Sequence, residues 1–495
     1  MGLVPHNGLP IALFMSTLTS ACMSELIMDN YKDGAVGGAS SSGTVDVPPS
    51  AGGVTSVFTS LPGATSTSPW AAYGAPDAPV GHMVTLSVEE PTSATPILPT
   101  LVASLKNGNV LFSYEPTVNG AGFAPTLAEY SPVSGTLMRS TAFPDAFGPS
   151  VMSVDSTGSI VLAGKLGLNT SYGGPSLQQT TKAFYLVKLD QDWNFSAGLS
   201  VAVTGTKYVY DVMAIATDAS DNIYVALALR DSAEHPLIVS FDSQLQERYR
   251  IVPTHSDGFY GTIASLSVSP QNELLVSGRF SGTLTFGDTT LTSIPDNDLL
   301  LPNGWLARFD ITDGKLNAVL QFGSVLGADA TGYLQDSPGN YRVGASLNST
   351  TELFGQTFDV GQGNVEVPLV VSATAGMTWE WGLQLGWWFG RIYELKLSAD
   401  GRLYVVGEMY ESGAGGTQAY PNVLVYGAEI TSDGAISSFY GFPTTAPAEL
   451  HVSVGDNRSF CLSWSTQSNA AVGSIPTSNA ELRCLAPVPT LLGGS

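Results

Sequence analysis

The chain has 495 residues, of which 12% are charged, and it is rich in glycine (54) and proline (30). Because long helices need Ala, Leu, Glu, Lys and Arg, this composition excludes a mainly helical protein and favours strands and turns. The excess of 42 acidic over 19 basic residues gives a net charge of -23. Such a charge repels phosphate backbones and anionic membrane surfaces, so it excludes nucleic acid as an expected partner.

Residues 1–22 have the form of an export signal. The apolar run Leu9–Met15 is too short to cross a bilayer, and small residues follow it up to Cys22. This ending resembles the lipobox of bacterial lipoproteins, in which the cysteine is lipidated and becomes the mature N-terminus. Thr19 stands where that family usually has Leu, Val or Ile, and residues 1–10 contain no Lys or Arg. The alternative is an apolar N-terminus with an incidental cysteine.

Residues 23–79 are dominated by Gly, Ala, Ser, Thr and Pro. Such a segment buries too little apolar surface to offset its ordering entropy, so the composition predicts a flexible, disordered tether. An isolated strand is predicted next, at Val84–Val88.

From residue 100 onwards one pattern recurs: a short apolar run, a turn containing Asp, Asn, Ser or Gly, and a second apolar run. This pattern predicts a β-hairpin. A further strand follows each hairpin. The hairpins are predicted at residues 101–112, 151–164, 213–225, 266–278, 332–344, 395–407 and 450–462, and the third strands at 127–130, 184–190, 237–242, 305–310, 369–372, 423–428 and 482–485.

Seven such units without a helical period predict an all-β, seven-bladed β-propeller spanning residues 80–495, with six or eight blades as alternatives. The second strands are nearly continuous apolar runs, which is typical of sheets covered on both faces. Several of these strands end in glycine, which indicates places where two backbones approach closely. These glycines are Gly164, Gly278, Gly344 and Gly407.

The fourth unit, with Val276–Gly287, Trp305–Asp310 and Gln321–Gly323, resembles the β-propeller repeats of secreted bacterial lipoproteins. The resemblance implies the propeller fold and an exported location. It implies no chemistry, because such families are largely of unknown function.

The seventh unit has too few residues after Cys484 for a complete fourth strand. We therefore expect the strand at residues 84–88 to complete this blade and close the ring. Cys461 and Cys484 would lie on its second and third strands, and export to an oxidising compartment would make them a disulfide. The alternative is two buried free thiols.

The usual catalytic spacings are absent from the sequence. His82, His235, His255 and His451 are scattered singly, so no metal site is predicted from them. Asp155 and Asp310 lie in turns, where the side chain bonds the backbone; the alternative is a structural calcium ion. No other cofactor is predicted.

Long connections are predicted on one face of the disc, at residues 166–182, 281–303, 347–367 and 411–421. Long loops concentrated on one face indicate that this face recognises a ligand or a partner. The alternative is that these loops are insertions that the fold tolerates without any function. Four of the eight tryptophans cluster nearby. The candidates for stacking on a sugar or a partner protein are Trp387 and Trp388, followed by Trp379 and Trp381. Core packing is the alternative, and strand spacing would explain Trp379 and Trp381 in that way.

The sequence thus predicts a non-catalytic, monomeric binding module for a protein or carbohydrate. Its expected location is the bacterial cell surface, the periplasm or the outer membrane, with lipid attached at Cys22. The alternatives are a secreted propeller hydrolase or lyase acting on polysaccharide, and a structural component of a surface assembly. The enzyme would require carboxylates or arginines that converge at one mouth of the central channel.

Overall fold

The computed structural model describes the strands within residues 43–44, 54–60 and 82–89 and, with gaps, residues 101–486. The gaps are residues 115–124, 133–135, 167–169, 179–181, 204–206, 232, 257–259, 295–300, 325, 359–365, 386–389, 399, 411–422, 445–446, 455–459 and 468–477. All regular structure in the described part is β-strand. None of the described residues forms a helix long and apolar enough to cross a bilayer.

Seven antiparallel sheets of four or more strands follow one another along the described chain. The strands that precede the first sheet are β1 (Gly43–Thr44), β2 (Val54–Ser60) and β3 (His82–Glu89). The first three sheets are β4 (Leu101–Ser104), β5 (Val110–Tyr114), β6 (Thr126–Ser131) and β7 (Thr136–Ala142); β8 (Val151–Val154), β9 (Ile160–Lys165), β10 (Ala183–Leu189) and β11 (Phe195–Ala202); and β12 (Tyr208–Thr217), β13 (Ile223–Arg230), β14 (Glu234–Phe241) and β15 (Glu247–Ile251).

The later sheets contain insertions. A small sheet of β16 (Thr254–His255), β19 (Thr283–Phe286) and β20 (Thr289–Thr292) accompanies the fourth sheet, which is formed by β17 (Tyr260–Val268), β18 (Glu273–Ser281), β21 (Asn303–Asp310) and β22 (Leu316–Phe322). The fifth sheet comprises β23 (Ala328–Gln335), β24 (Tyr341–Leu347), β27 (Val367–Ala373) and β28 (Trp379–Gln384), with the inserted hairpin β25 (Thr351–Leu353) and β26 (Gln356–Phe358). The sixth sheet contains β29 (Gly390–Leu397), β30 (Leu403–Tyr410), β31 (Val423–Ile430) and β32 (Ile436–Thr444), and the seventh begins with β33 (Pro447–Val454), β34 (Phe460–Gln467) and β35 (Ser478–Ala486).

The first strand of every sheet lies innermost. Each first strand contacts that of the next sheet, from β4 through β8, β12, β17, β23 and β29 to β33, and β33 contacts β4. The second and third strands are almost entirely buried, as in β13, β24 and β27, because neighbouring sheets cover them on both faces. The predicted hairpins and third strands are confirmed, and the architecture is all-β and propeller-like.

The seventh sheet takes its fourth strand from the N-terminal region. β3 pairs antiparallel with β35 along its whole length, from His82 opposite Ala486 to Glu89 opposite Asn479. β2 pairs with the other edge of β3, and β1 with β2, so the sheet has six strands. Both β1 and β2 fall inside the stretch whose overall composition predicts a tether. The local run Val54–Thr59 contains five β-branched or aromatic residues, which favours a strand there.

Cys461 and Cys484 lie directly opposite each other on β34 and β35, and their sulfurs form a disulfide. Both residues are fully buried in the core that this sheet shares with the first sheet. The disulfide therefore links β34 and β35 covalently, and β35 is the strand that pairs with the N-terminal strand β3.

The hairpin turns share one hydrogen-bonding pattern. In the turn before β9, Asp155 Oδ1 accepts hydrogen bonds from the backbone N–H of Thr157 and of Ser159, each 2.9 Å long. Ser398 Oγ accepts the corresponding bond from Arg402 N–H at 3.1 Å. Gly401 supplies the left-handed backbone of that turn, with φ of 81°, which glycine adopts at little cost. These side chains thus stabilise the turn backbone.

Four glycines of the second strands lie where a side chain would collide with its surroundings. A Cβ on Gly278 would stand 2.1 Å from the carbonyl oxygen of Thr262, and one on Gly407 would stand 2.1 Å from that of Arg391. Gly164 and Gly344 are crowded in the same way, by Tyr185 and Leu395. The predicted close approach of backbones at second-strand glycines is therefore confirmed for Gly278 and Gly407.

We expect the substitution Gly407→Ala to destabilise the protein by about 3 kcal/mol, because a backbone oxygen cannot move aside cheaply. The matched control is Gly376→Ala, whose new Cβ would meet only Thr374 Oγ1, at 3.6 Å. The free energy of unfolding of that variant should remain within about 0.5 kcal/mol of the wild-type value. Urea unfolding of the three proteins measures both effects. Equal midpoints for the two variants would contradict the prediction.

The two faces of the ring differ. One face, here named the short-loop face, carries the turns between first and second strands and between third and fourth strands. The other, the long-loop face, carries the connections between second and third strands and between sheets. The insertions β19–β20 and β25–β26 lie in second-to-third connections, so they belong to the long-loop face.

Candidate functional site

A group of charged and phenolic side chains lies where the innermost strands begin, at the long-loop end of the ring. We name it the mouth cluster. First strands begin, second strands end and third strands begin on this face, so residues far apart in sequence converge there. The mouth cluster consists of Glu234, Tyr260, Arg279, Asp329, Glu366, Arg391, Tyr393, Glu408 and Tyr410.

Two ion pairs form the centre of the mouth cluster. Arg279 Nη1 of the fourth sheet lies 2.9 Å from Asp329 Oδ2 of the fifth sheet, so this ion pair links the two sheets. Arg391 Nε of the sixth sheet lies 2.6 Å from Glu366 Oε2 of the fifth sheet, and this second ion pair links those two sheets. Arg279 Nη2 also donates a hydrogen bond to the hydroxyl of Tyr260, at 2.8 Å. Each arginine is thus held in a fixed orientation.

These ion pairs are only partly buried. The side chains of Arg279, Asp329 and Arg391 keep 26%, 24% and 29% of their surface exposed, whereas Glu366 keeps 9%. An ion pair within a sheet is far more buried: the side chains of Arg342 and Asp336 keep only 1% and 4% of their surface exposed. The ion pairs therefore fix the orientation of these groups. Arg279, Asp329 and Arg391 remain partly exposed to solvent, whereas Glu234, Glu366 and Glu408 are buried.

The phenols extend the mouth cluster onto the sixth sheet. Tyr393 donates a hydrogen bond of 2.9 Å to Glu408 Oε1, and Tyr410 also bonds this carboxylate. Burial raises the pKa of Glu408, although both phenols and Arg391 oppose the rise. Burial and the Glu408 charge raise the pKa of Tyr393 well above its ordinary value. Tyr393 therefore remains a hydroxyl donor at neutral pH.

Glu366 has the chemistry of a proton donor. Burial raises its pKa to about 7, the Asp329 carboxylate adds to the rise, and Arg391 opposes it. A carboxyl with a pKa near neutrality, close to a second carboxylate, is a common arrangement for general acid or base chemistry.

The raised pKa of Glu366 predicts a pH-dependent stability. Between pH 4.5 and 7 the unfolded chain loses this proton while the folded chain keeps it. Stability contributed by the protonated form is therefore present below pH 4.5 and is lost as the pH rises through 7, by at most about 3 kcal/mol. We expect Glu366→Gln to lack this loss, so its stability relative to the wild type should rise between pH 4 and 8.

Urea unfolding at a series of pH values measures the effect. The control is Glu352→Gln, which alters an exposed glutamate on β25. Its difference from the wild type should stay constant with pH. Parallel curves for Glu366→Gln and the wild type would show that Glu366 titrates normally.

Deeper in the ring, Glu394 links the sixth and seventh sheets. Its Oε2 accepts a hydrogen bond of 2.9 Å from the backbone N–H of Val452, and Lys396 Nζ lies 2.8 Å from Oε1. His451 Nδ1 lies 3.6 Å from Oε2. Burial alone would raise the pKa of Glu394, but Lys396 and His451 outweigh it, and the pKa falls to about 2. This network holds an ionised carboxylate in the channel wall.

The predicted tryptophan site is described only in part. Trp379 and Trp381 lie on β28, at the end nearer the short-loop face, and hence away from the mouth cluster. Trp379 is 41% exposed. Trp381 donates a hydrogen bond of 2.9 Å to the carbonyl oxygen of Ser432 and packs against Gly434 of the sixth sheet.

Three residues of the predicted sites, Trp387, Trp388 and Cys22, lie outside the described residues. The proposed roles of Trp387 and Trp388 in binding and of Cys22 in lipidation therefore stay predictions.

Sequence reasoning did not identify the mouth cluster by residue. Its members are single charged or phenolic residues at or near strand ends, with no shared spacing. One signal was available: each predicted second strand ends, and each first strand begins, on the long-loop face. Charged residues at those positions, such as Arg279 and Arg391, could have been collected as candidates.

No family model and no curated protein matches this chain. Several solved structures are similar to it at low identity. A polysaccharide lyase of the PL25 ulvan lyase family, bound to a GlcA–Rha3S saccharide, is 9% identical with a TM-score of 0.43, over 73% of this chain and 88% of the lyase. Hydrazine synthase from Kuenenia stuttgartiensis is 11% identical with a TM-score of 0.43, over 75% and 94%.

The β-propeller domain of the Trilobed protease from Pyrococcus furiosus is 9% identical with a TM-score of 0.41, over 73% of this chain and 91% of the domain. Similarities of this size carry no information about activity.

Proposed function

We propose that this protein is a seven-bladed β-propeller that binds a saccharide at the mouth cluster. One observation carries the proposal: charged and phenolic side chains from several sheets converge at the long-loop end of the ring, where Arg279, Asp329 and Arg391 are ion-paired and partly exposed to solvent. The blade number is supported by the cycle of contacts among the seven innermost strands and by the pairing of β3 with β35.

The chemistry of the mouth cluster suits a polyhydroxylated ligand. Arginine and tyrosine donate hydrogen bonds and carboxylates accept them, so neighbouring sugar hydroxyls can bond to both kinds of group. The arginines Arg279 and Arg391 are balanced by Asp329 and Glu366, and the chain carries a net charge of -23. Both features disfavour a polyanion.

The test is a glycan array followed by calorimetry with the oligosaccharide that binds best. We expect Arg279→Met and Arg391→Met each to weaken binding at least tenfold. Arg308→Met is the matched control, because Arg308 also pairs with a glutamate, Glu273, at 3.4 Å, but at the short-loop end of the fourth sheet. Circular dichroism verifies that each variant is folded. Failure of the array, or equal affinity for all three variants, would overturn the proposal.

A second candidate is a polysaccharide hydrolase or lyase. It is favoured by Glu366, whose pKa of about 7 lets it hold a proton beside the Asp329 carboxylate. In a hydrolase, Glu366 would protonate the glycosidic oxygen as its bond to the anomeric carbon breaks, and a water molecule would form the new bond to that carbon and give up a proton to the Asp329 carboxylate. Release of reducing ends from polysaccharides measures the activity. Glu366→Gln should abolish cleavage and retain saccharide binding; retained cleavage would remove this candidate.

We also propose that the protein is an exported lipoprotein, held at the bacterial surface through Cys22. The apolar run and small residues before Cys22 support export and lipidation. The disulfide between Cys461 and Cys484 supports an oxidising compartment. Mass spectrometry of the N-terminal peptide from membranes of cells that express the whole chain tests this: an unmodified Cys22 would contradict it.

A further inference from the structure

A row of three side chains crosses the third sheet at its long-loop end. Tyr208 of β12 lies directly opposite Arg230 of β13, and Arg230 lies directly opposite Glu234 of β14. Residues that are directly opposite each other in an antiparallel sheet point to the same face. Tyr208, Arg230 and Glu234 therefore form a continuous row on one face, which we name the third-sheet row.

The third-sheet row faces the fourth sheet. Ile238 of β14 and Ala226 of β13 both pack in the core that the third and fourth sheets share. Side chains alternate between the two faces of a strand. Glu234 and Arg230 lie four residues from Ile238 and Ala226 respectively, so they point to the same side as these core residues. Because Glu234 is also a member of the mouth cluster, the row is continuous with that cluster.

Glu234 is a buried acid without a partner. It keeps 5% of its surface exposed, and it forms neither an ion pair nor a side-chain hydrogen bond with the residues that the structure describes. Buried carboxyl groups normally have such partners, because water no longer solvates them. Its oxygens are not among the described side-chain atoms that are fully enclosed and unpartnered, so they still reach the solvent. Burial raises the pKa of Glu234, and the nearby charges of Arg230 and Arg279 oppose the rise.

Arg230 does not neutralise this acid by direct contact, although the two residues are cross-strand neighbours. Its guanidinium lies 4.7 Å from the centre of the Tyr210 ring, and this cation–π contact orients it. In the described part of the chain Arg230 has no ion pair. Tyr208, at the other end of the row, is 39% exposed. The row thus combines an exposed aromatic ring with a guanidinium and a carboxyl group that are held apart.

A ligand that both donates and accepts hydrogen bonds can bond to the two separated groups at once. We propose that the third-sheet row is a second sugar subsite, so that the ligand is an oligosaccharide of at least two units. The inference rests on the proposed binding of a saccharide at the mouth cluster. One sugar hydroxyl donates to Glu234 and its neighbour accepts from Arg230, while the apolar face of the sugar ring covers Tyr208.

The experiment uses the full chain, the oligosaccharide that binds best on the glycan array, and the shorter fragments of that oligosaccharide. Calorimetry measures the affinities. We expect Tyr208→Ala, Arg230→Met and Glu234→Gln each to weaken binding of the oligosaccharide about tenfold. Tyr208→Ala and Arg230→Met should change the affinity of the shortest fragment that still depends on Arg279 by less than about twofold. Tyr208→Phe retains the ring and should bind the oligosaccharide like the wild type.

The control is Met138→Ala, which removes an apolar side chain that is 56% exposed on β7 of the first sheet. This variant should bind like the wild type, and circular dichroism verifies that all variants are folded. Oligosaccharide binding that depends on Arg279 but is unchanged in Tyr208→Ala and Arg230→Met would overturn the second subsite alone. Equal losses for the oligosaccharide and the short fragment, or a best ligand of one sugar unit, would also overturn it. Absence of all saccharide binding would overturn both proposals.

Discussion

Deletion of residues 1–92 is expected to leave a protein that unfolds at much lower urea concentration and aggregates. The deletion removes β3, the eight-residue strand that pairs with β35 along its whole length. Each lost hydrogen bond costs about 1 kcal/mol net, so the loss is on the order of 5 kcal/mol, which is a large part of the stability of an ordinary domain. The exposed edge of β35 then offers a template for association with other chains.

The matched control is deletion of residues 1–62, which removes β1 and β2 and retains β3. This shorter deletion should lower the unfolding midpoint far less, because β35 keeps its partner. Urea unfolding and light scattering measure the two outcomes. Equal stability of the two truncated proteins would show that β3 does not complete the seventh sheet.

Replacement of Arg342 by methionine is expected to destabilise the protein by about 3–5 kcal/mol. Arg342 is buried in the fifth sheet, with its Nη2 2.7 Å from Asp336 Oδ2. Its Nη1 contacts Ser372 Oγ and lies 3.5 Å from Glu380 Oε2. The guanidinium also lies 5.3 Å from the centre of the Trp381 ring. Methionine fills much of the same volume but leaves a buried carboxylate without its counter-charge.

The pair can be tested by a double substitution. Arg342→Met with Asp336→Asn removes both charges and should recover part of the lost stability. The control Arg250→Met breaks an ion pair with Glu247 at the surface and should cost less than about 1 kcal/mol. Urea unfolding measures all three variants. A small effect of Arg342→Met would show that the buried Asp336 carboxylate does not need the charge of Arg342 to balance it.

The strands could be predicted because their signals are local. A hairpin needs only a turn sequence between two apolar runs, and the Ser398–Arg402 turn contains every residue that its hydrogen bonds require. Glycine at the end of a second strand indicates that another backbone lies close by. At Gly407 this is so, because a Cβ there would stand 2.1 Å from the carbonyl oxygen of Arg391. The pairing of a strand near residue 84 with the last sheet could be inferred because that sheet lacked a fourth strand.

The mouth cluster and the contact between His235 and His255 could not be predicted, because the residues concerned meet only through the order of the sheets. Arg279 and Asp329 belong to different sheets, and their 2.9 Å contact depends on the twist between them. His235 and His255 are twenty residues apart and looked isolated, yet the small inserted sheet brings the rings together. Such contacts leave no periodic trace in the sequence.

The pairing of β3 with β35 has a consequence for the order in which the protein folds. β3 is synthesised before any of the seven sheets, and its partner β35 is synthesised after all the others. Six sheets can therefore form as soon as their own residues are available, whereas the seventh must wait for β35. β2 pairs with one edge of β3, so a nascent hairpin can protect that edge meanwhile. We infer that docking of this hairpin is the last and slowest step of folding, since contacts between distant segments form slowly.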